Sequence, residues 1–171
     1  MFKSVFTKYM TSFALLIAMA FMLLVFTVST MLTNYSINSK RAIMDKAAES
    51  VAISMKTYIS IEEKSGLSEI VGAHYPEIMT ELIGYASLSD SDIYLVSSEG
   101  ILLATSDSGY EAGVSFMTPS AVASAAADPS KFALSSIENT FKVNRLNNII
   151  SVVSDGNVEG IIVVSSTSAQ D

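Results

Sequence analysis

A long uncharged run near the N-terminus limits what this chain can become. No charged residue lies between Tyr9 and Ser39, and the centre of the run, Phe13 to Leu32, reads FALLIAMAFMLLVFTVSTML. As a helix, this central segment extends about 30 Å, the thickness of the hydrocarbon core of a bilayer. A helix also lets the few hydroxyl groups of the run bond to its own backbone carbonyls. The run therefore predicts a transmembrane helix over residues 13–32.

A cleaved secretory signal peptide is the alternative, because Lys3 and Lys8 form a basic start before the apolar run. Signal peptides have apolar regions of about 7 to 15 residues that end in a small-residue cleavage site. The Ala-x-Ala motif of this run, Ala18 to Ala20, lies in its middle instead. Phe2 excludes N-myristoylation, and the absence of cysteine excludes lipid anchors attached through a thiol. We therefore predict an uncleaved helical anchor.

The basic residues on the two flanks of the span nearly balance. Lys3 and Lys8 precede it, whereas Lys40, Arg41 and Lys46 follow it. The positive-inside rule therefore does not choose an orientation. An apolar segment after a basic N-terminus usually behaves as a signal anchor. We accordingly predict a short cytoplasmic N-terminus over residues 1–12 and an extracytoplasmic domain over residues 33–171.

The part of the chain after the span is acidic. It holds all 17 Asp and Glu residues but only eight of the ten Lys and Arg residues, which gives a formal charge of −9. This charge argues against binding to nucleic acid or to anionic lipid. The absence of cysteine excludes disulfides and thiolate zinc sites. The length of this part suits one domain with its own core.

A helix with one apolar stripe is predicted from Asn34 to Lys64, where the chain has no glycine or proline, and Gly66 is a suitable end. The stripe consists of Ile37, Met44, Ala48, Val51, Met55 and Tyr58. In one interpretation it packs on the sheet of its own domain. In the other it forms a dimer seam, with Arg41 and Glu62 as polar exceptions. Both interpretations can hold on different faces of the helix. The membrane helix and this helix can form one continuous rod.

The remaining chain predicts one more long helix, opened by Pro76 and ending near Ser87, and a β-rich domain. The predicted strands cover Asp92 to Ser97, Ile101 to Ser106, Phe132 to Ile137, Asn148 to Ser154 and Gly160 to Ser165. A short helix capped by Thr118 and running to Ala127 interrupts them. Ile161 to Val164 is apolar at every position, which indicates a central strand covered on both faces. The predicted fold class is α+β.

Three segments carry a resemblance to a known family. The opening MFKSVFTKYMTSFALLIAMAF, the hairpin IYLVSSEGILLATS and the final GNVEGIIVVSS resemble the extracytoplasmic sensor regions of bacterial membrane-bound sensor histidine kinases. The sensor domain they resemble is PAS-like, of the single Cache type. In one departure, Ser97 or Ser98 stands where the family commonly has an aspartate before the glycine of the hairpin.

The resemblance implies a five-stranded antiparallel sheet after the membrane helix and the long helix. It also implies that a second span, a HAMP linker and a kinase core follow in a longer receptor of a two-component system. The alternative is a stand-alone anchored envelope binding or adaptor protein without signalling output. The open reading frame downstream of the Asp171 codon distinguishes the two.

No catalytic centre, metal site or cofactor site is predicted. The single histidine, His74, precedes Tyr75-Pro76, and without cysteine a zinc or copper site has too few ligands. No phosphate-binding loop or nucleophile motif is present. The expected partners are the membrane, a second copy of the chain in a homodimer, and an unknown small-molecule or protein stimulus.

The resemblance to a PAS-like domain places a ligand pocket between the sheet and residues 107–127. The ligand-binding candidates are Tyr94, Ser106, Tyr110 and Arg145. The competing interpretation makes the two tyrosines core or rim aromatics and makes Arg145 a solvated charge at the sheet edge. Lys131, Lys142 and Arg145 are the cations of this half of the chain, which is too few for an organic dianion.

Overall fold

The apolar run lies within one α-helix, α1 (Phe2–Ile61). The computed structural model of the chain describes residues 2–61 and 66–167, with burial described from Val5 onward. From Val5 to Tyr35 the large apolar side chains of α1 are exposed. The hydroxyl groups of Thr27 and Thr30 each donate a 2.8 Å hydrogen bond to the carbonyl four residues earlier. By length and composition, α1 is a candidate membrane span.

The chain divides into two units, Met1–Ser39 and Lys40–Asp171, with the boundary inside α1. The described residues of the second unit form three further helices and one sheet. The helices are α2 (Leu67–Ala73), α3 (Tyr75–Ser89) and α4 (Pro119–Ala127), and a 3₁₀ turn (Pro129–Phe132) follows α4. Thr118 caps α4 as predicted, because its hydroxyl accepts a hydrogen bond from the Ala121 amide at 3.2 Å.

A five-stranded antiparallel sheet organises the second unit. Its strands are β1 (Asp92–Ser97), β2 (Leu102–Thr105), β3 (Leu134–Ser135), β4 (Arg145–Ser154) and β5 (Asn157–Ser166). The strand order is β2-β1-β5-β4-β3, so β5 is central. Ile161 to Val164 in β5 are fully buried, which confirms the prediction of a covered central strand. The predicted α+β class, with a PAS-like five-stranded antiparallel sheet after an apolar helix, is confirmed.

Two apolar layers cover the two faces of the sheet. The first layer packs Met44, Ala48, Val51 and Met55 of α1, together with side chains of α2 and α3, on one face. The second layer packs α4 and the segments beside it on the other. From Met44 to Met55, the predicted stripe of α1 is therefore part of the core of its own domain. Met44, Val51 and Met55 are 1% exposed, so these positions are not available for a dimer seam.

The structure differs from the prediction at the third strand and at the start of the domain. The strand predicted from Phe132 to Ile137 is wrong beyond Leu134–Ser135, because Phe132 belongs to a 3₁₀ turn and residues 137–139 have positive φ angles. Gly66 is the N-cap of α2, a helix that the prediction lacked. The predicted helix end at Lys64, and the seam position Glu62, lie outside the described residues.

Candidate functional site

Four aromatic rings fill the space between the second face of the sheet and the segment before α4. Tyr94 of β1 stacks on Phe116 with ring centroids 4.9 Å apart, and Tyr110 meets Tyr94 edge to face at 5.7 Å. Phe141 closes the group, with its ring centroid 5.5 Å from that of Tyr94. Because side chains alternate along β1, Tyr94 lies on this face of the sheet, while Ile93 and Leu95 belong to the first layer on the opposite face. The predicted pocket region is therefore occupied by side chains of the chain itself.

Charged and polar groups border this aromatic cluster. Arg145, the first residue of β4, donates from Nη1 to Asp92 Oδ2 at 2.9 Å and to the Tyr94 hydroxyl at 3.2 Å. The Tyr94 hydroxyl in turn donates to Asp107 Oδ2 at 2.6 Å. The Arg145 guanidinium also lies 4.5 Å from the centroid of the Phe141 ring, a cation–π contact. Arg145 is thus hydrogen-bonded directly to the Asp92 carboxylate and is linked to the Asp107 carboxylate through the Tyr94 hydroxyl.

The electrostatics of the network follow from its partial burial. Burial, followed by the nearby Asp107 carboxylate, raises the pKa of Asp92 above its ordinary value, although Arg145 acts in the opposite direction. Burial and the hydrogen bond to Asp107 likewise raise the pKa of Tyr94. Within the described residues, Arg145 Nε is buried and has no hydrogen-bond partner. The network therefore combines a carboxyl group and a phenol with raised pKa values and one buried donor atom without a partner.

The structure brings three of the four predicted ligand-binding residues together. Tyr94, Tyr110 and Arg145 all belong to the aromatic and ionic cluster, where Tyr110 donates from its hydroxyl to the Thr140 carbonyl at 2.9 Å. Arg145 is not a solvated edge charge, because only 17% of its side chain is exposed. Ser106 lies elsewhere, at the end of β2, where its hydroxyl accepts a hydrogen bond from the Ile93 amide at 2.9 Å. Ligand binding by these residues stays a prediction.

Ser106 lines a cavity of about 540 Å³ at the end of the sheet, where α3 ends and β1 begins. Its polar lining is formed by Ser87, Asp90, Ser91, Asp92, Ser106, Ser165, Ser166 and Thr167. Ile83 and Ala86 of α3 supply the apolar part. Asp92 connects the cavity to the ionic network through Arg145. The volume lies in the range of small-molecule sites.

Sequence reasoning missed Asp90, Asp92, Asp107 and Phe141. One signal was available, because Asp92 and Tyr94 lie two residues apart on a predicted strand and so share a face. The approach of Arg145 to Asp92 depends instead on β5 lying between β1 and β4. Among the described residues, no group of three or more His, Cys, Asp and Glu side chains is arranged to hold a metal ion.

The site and the fold together describe an α+β domain with a filled aromatic cluster, a charged network and a polar cavity. No protein-family model matches the chain, and no curated protein matches it. Among solved structures, it is similar to the sensor domain of the Vibrio cholerae histidine kinase DctB, with 15% sequence identity and a TM-score of 0.45. The match covers 80% of this chain and 58% of the other, which is less than two thirds of that chain.

Proposed function

We propose that this chain is the membrane-anchored, signal-sensing part of a two-component sensor histidine kinase. Residues 13–32 cross the cell membrane, residues 1–12 are cytoplasmic, and residues 33–171 form an extracytoplasmic sensor domain of the PAS-like Cache type. The chain itself has a sensory role and no catalytic one. The observation that carries the proposal is that α1 contains both the candidate membrane span and the stripe buried in the domain core.

Signal transmission then begins in the packing between the sheet and α1. Met44, Ala48 and Val51 lie in one apolar layer with Ile93, Leu95 and Ile162 of the sheet. Close-packed layers respond to a change at one side by shifting between discrete arrangements. A stimulus that moves β1 or β5 therefore changes the preferred position of α1, and α1 carries the change into the membrane.

The ionic network is the proposed point of response. In this proposal Tyr94 and Arg145 either bind a ligand directly or change their hydrogen bonds when Tyr110 moves. Ser106 contributes to ligand binding from the cavity at the end of the sheet. Opening of the aromatic cluster would expose the buried Arg145 Nε to a hydrogen-bond acceptor. The stimulus is a small molecule or a protein, and the working unit is a homodimer.

An activity measurement on the complete receptor tests this proposal. The gene is first read downstream of the Asp171 codon. If it continues into a kinase, autophosphorylation of the full receptor is measured in membrane vesicles. Ala48→Leu adds volume to the fully buried stripe, whereas Ala42→Leu adds the same volume at an exposed position of the same helix.

We expect Ala48→Leu to change basal autophosphorylation several-fold and Ala42→Leu to leave it unchanged. Circular dichroism of both variants checks that the domain remains folded. Equal activity of both variants and the parent would contradict transmission through α1. A stop codon directly after Asp171 with no kinase fragment nearby would support the stand-alone anchored protein instead.

A further inference from the structure

Three successive residues after β3 have a backbone conformation that L-amino acids rarely adopt. Ile137, Glu138 and Asn139 have φ angles of 47°, 52° and 66°. A positive φ crowds Cβ against the backbone, and for a β-branched residue such as isoleucine it is a genuine outlier. Strain of this kind persists only where surrounding contacts hold it. Residues 137–141, here called the strap, are therefore held closed by contacts with other parts of the domain.

Hydrogen bonds join the strap to the segment before α4. The Glu138 carboxylate accepts from the Thr118 hydroxyl at 2.8 Å. Thr140 Oγ1 donates to the Phe116 carbonyl at 2.7 Å, and the Tyr110 hydroxyl donates to the Thr140 carbonyl at 2.9 Å. The strap and the segment that carries Tyr110 and Phe116 therefore close on each other.

The strap also supplies two buried side chains, Ile137 and Phe141, to the second layer. The Phe141 ring centroid lies 5.5 Å from that of Tyr94 and 4.5 Å from the Arg145 guanidinium. The flanks of the strap are weakly held, because β3 before it has two residues and residues 142–144 after it are exposed. Movement of the strap would therefore uncover Tyr94 and Arg145 and leave the other four strands in place.

We propose that the strap keeps the aromatic cluster closed, and that its strained backbone lowers the free energy needed to reach an open conformation. When the strap lifts, its three residues with positive φ relax, which offsets part of the lost packing and hydrogen bonding. Phe141 then leaves Tyr94, and Tyr110 loses the carbonyl that holds its hydroxyl. As the step that admits a stimulus, this opening rests on the proposed sensory function, whereas the motion itself is measured on the chain alone.

Two buried valines of β5 report opening on opposite faces of the sheet. Val163 lies opposite Tyr94 and belongs to the second layer, whereas Val164 belongs to the first. The chain has no cysteine, so Val163→Cys and Val164→Cys each provide a single thiol. Each full chain, in lipid nanodiscs, is labelled with a small maleimide. We expect Val163→Cys to react about tenfold or more faster than Val164→Cys, because the second layer opens without global unfolding.

Changes in the strap should alter the labelling rate of Val163→Cys alone. Asn139→Val places a β-branched residue at a positive φ and should raise this rate about fivefold. Thr140→Val removes the hydroxyl that donates to Phe116 and should act in the same direction, which keeps the test open if Asn139→Val does not fold.

Two controls separate backbone strain from a change of side chain. Glycine accepts a positive φ, so Asn139→Gly should leave the labelling rate of Val163→Cys within about twofold of the parent rate. Asn144→Val makes the matched change at an exposed residue outside the positive-φ turn and should also leave it within about twofold.

Three results would overturn the proposal. They are equal labelling of Val163→Cys and Val164→Cys, an unchanged Val163→Cys rate in both Asn139→Val and Thr140→Val, and equal acceleration of both thiols by the strap variants, which indicates global unfolding. The measurement reads no kinase activity. Its failure therefore leaves transmission through α1 standing, and failure of the Ala48→Leu test leaves the strap standing.

Discussion

Lys40 holds Asp90 by two hydrogen bonds from the same ammonium group. Lys40 Nζ donates to the backbone carbonyl of Asp90 at 2.6 Å and to its Oδ2 at 2.9 Å. The lysine side chain is 17% exposed and the aspartate side chain 88% exposed. The contact ties α1 to the C-cap of α3, next to the start of β1 and the cavity.

Replacing Lys40 should loosen the end of α3. The ion pair itself contributes little because Asp90 is exposed, but the carbonyl of Asp90 also loses a charged donor. We expect Lys40→Met to lower local stability by about 1 kcal/mol, which increases hydrogen exchange of the Asp90 and Ser91 amides about fivefold. Lys56→Met, at an exposed position of the same helix, is the control. Equal exchange in both variants would show that the contact has no structural effect.

The pKa of Asp92 should lie above the ordinary value of an aspartate, and the pKa of Asp128 should lie below it. Burial, and then Asp107, raise the pKa of Asp92, whereas the Ser130 hydroxyl, which donates to Asp128 Oδ1 at 2.5 Å, lowers the pKa of Asp128. Carboxyl ¹³C NMR shifts measured against pH should give the higher midpoint for Asp92. Asp107→Asn should lower that midpoint because it removes a neighbouring negative charge.

The raised pKa of Asp92 also sets the sign of its effect on stability. Folding favours the protonated form of this group, so its contribution to stability is greatest below the ordinary pKa, about 3.9. That contribution is lost as the pH rises through the raised value in the folded state. An Asp92 midpoint at or below that of Asp128 would contradict the network as described.

Two glycines with positive φ angles should respond differently to alanine. Gly100 has φ +83°, and a Cβ there would overlap the Met117 carbonyl oxygen, whereas Gly113 has φ +86° with open space around it. We expect Gly113→Ala to lower the free energy of unfolding by about 1–2 kcal/mol through backbone strain alone. Gly100→Ala should lower it by about 2–5 kcal/mol, because strain and overlap combine.

Thermal unfolding of the full chain in detergent micelles measures this difference. The Gly100 carbonyl accepts hydrogen bonds from the Phe116 and Met117 amides at 2.8 Å and 3.1 Å, so the turn after β1 also positions the segment before α4. Similar unfolding temperatures for both variants would show that the close approach at Gly100 is not a constraint.

Local patterns in the sequence predicted most of the sheet and failed where tertiary packing decides the backbone. β1 begins and ends at the predicted residues because an apolar run is bounded by a turn that contains Gly100. β3 is shorter than predicted because the chain turns with positive φ at Ile137, whose side chain is fully buried in the second layer. α2 has seven residues, too few for a periodic signal to separate it from a loop.

The candidate site was predictable only in part, because some of its contacts join residues that are far apart in the sequence. Tyr94 and Arg145 were predicted because the resemblance to a PAS-like domain implied a pocket beside the first and fourth strands. The partner of Arg145, Asp92, lies 53 residues earlier, and the strand order determines that contact. The cavity combines residues of α3, β1 and β5 with Ser106, which follows β2, and no local pattern brings these together.

The central claim is that α1 anchors an extracytoplasmic domain, and cysteine labelling from outside the cell tests it directly. The chain has no cysteine, so single cysteines can be introduced without background. Ser108→Cys lies in an exposed turn of the second unit, and Lys8→Cys lies before the predicted span. With a membrane-impermeant maleimide, we predict labelling of Ser108→Cys in intact cells and labelling of Lys8→Cys only after lysis. Labelling of Lys8→Cys in intact cells, with Ser108→Cys protected until lysis, would contradict the account.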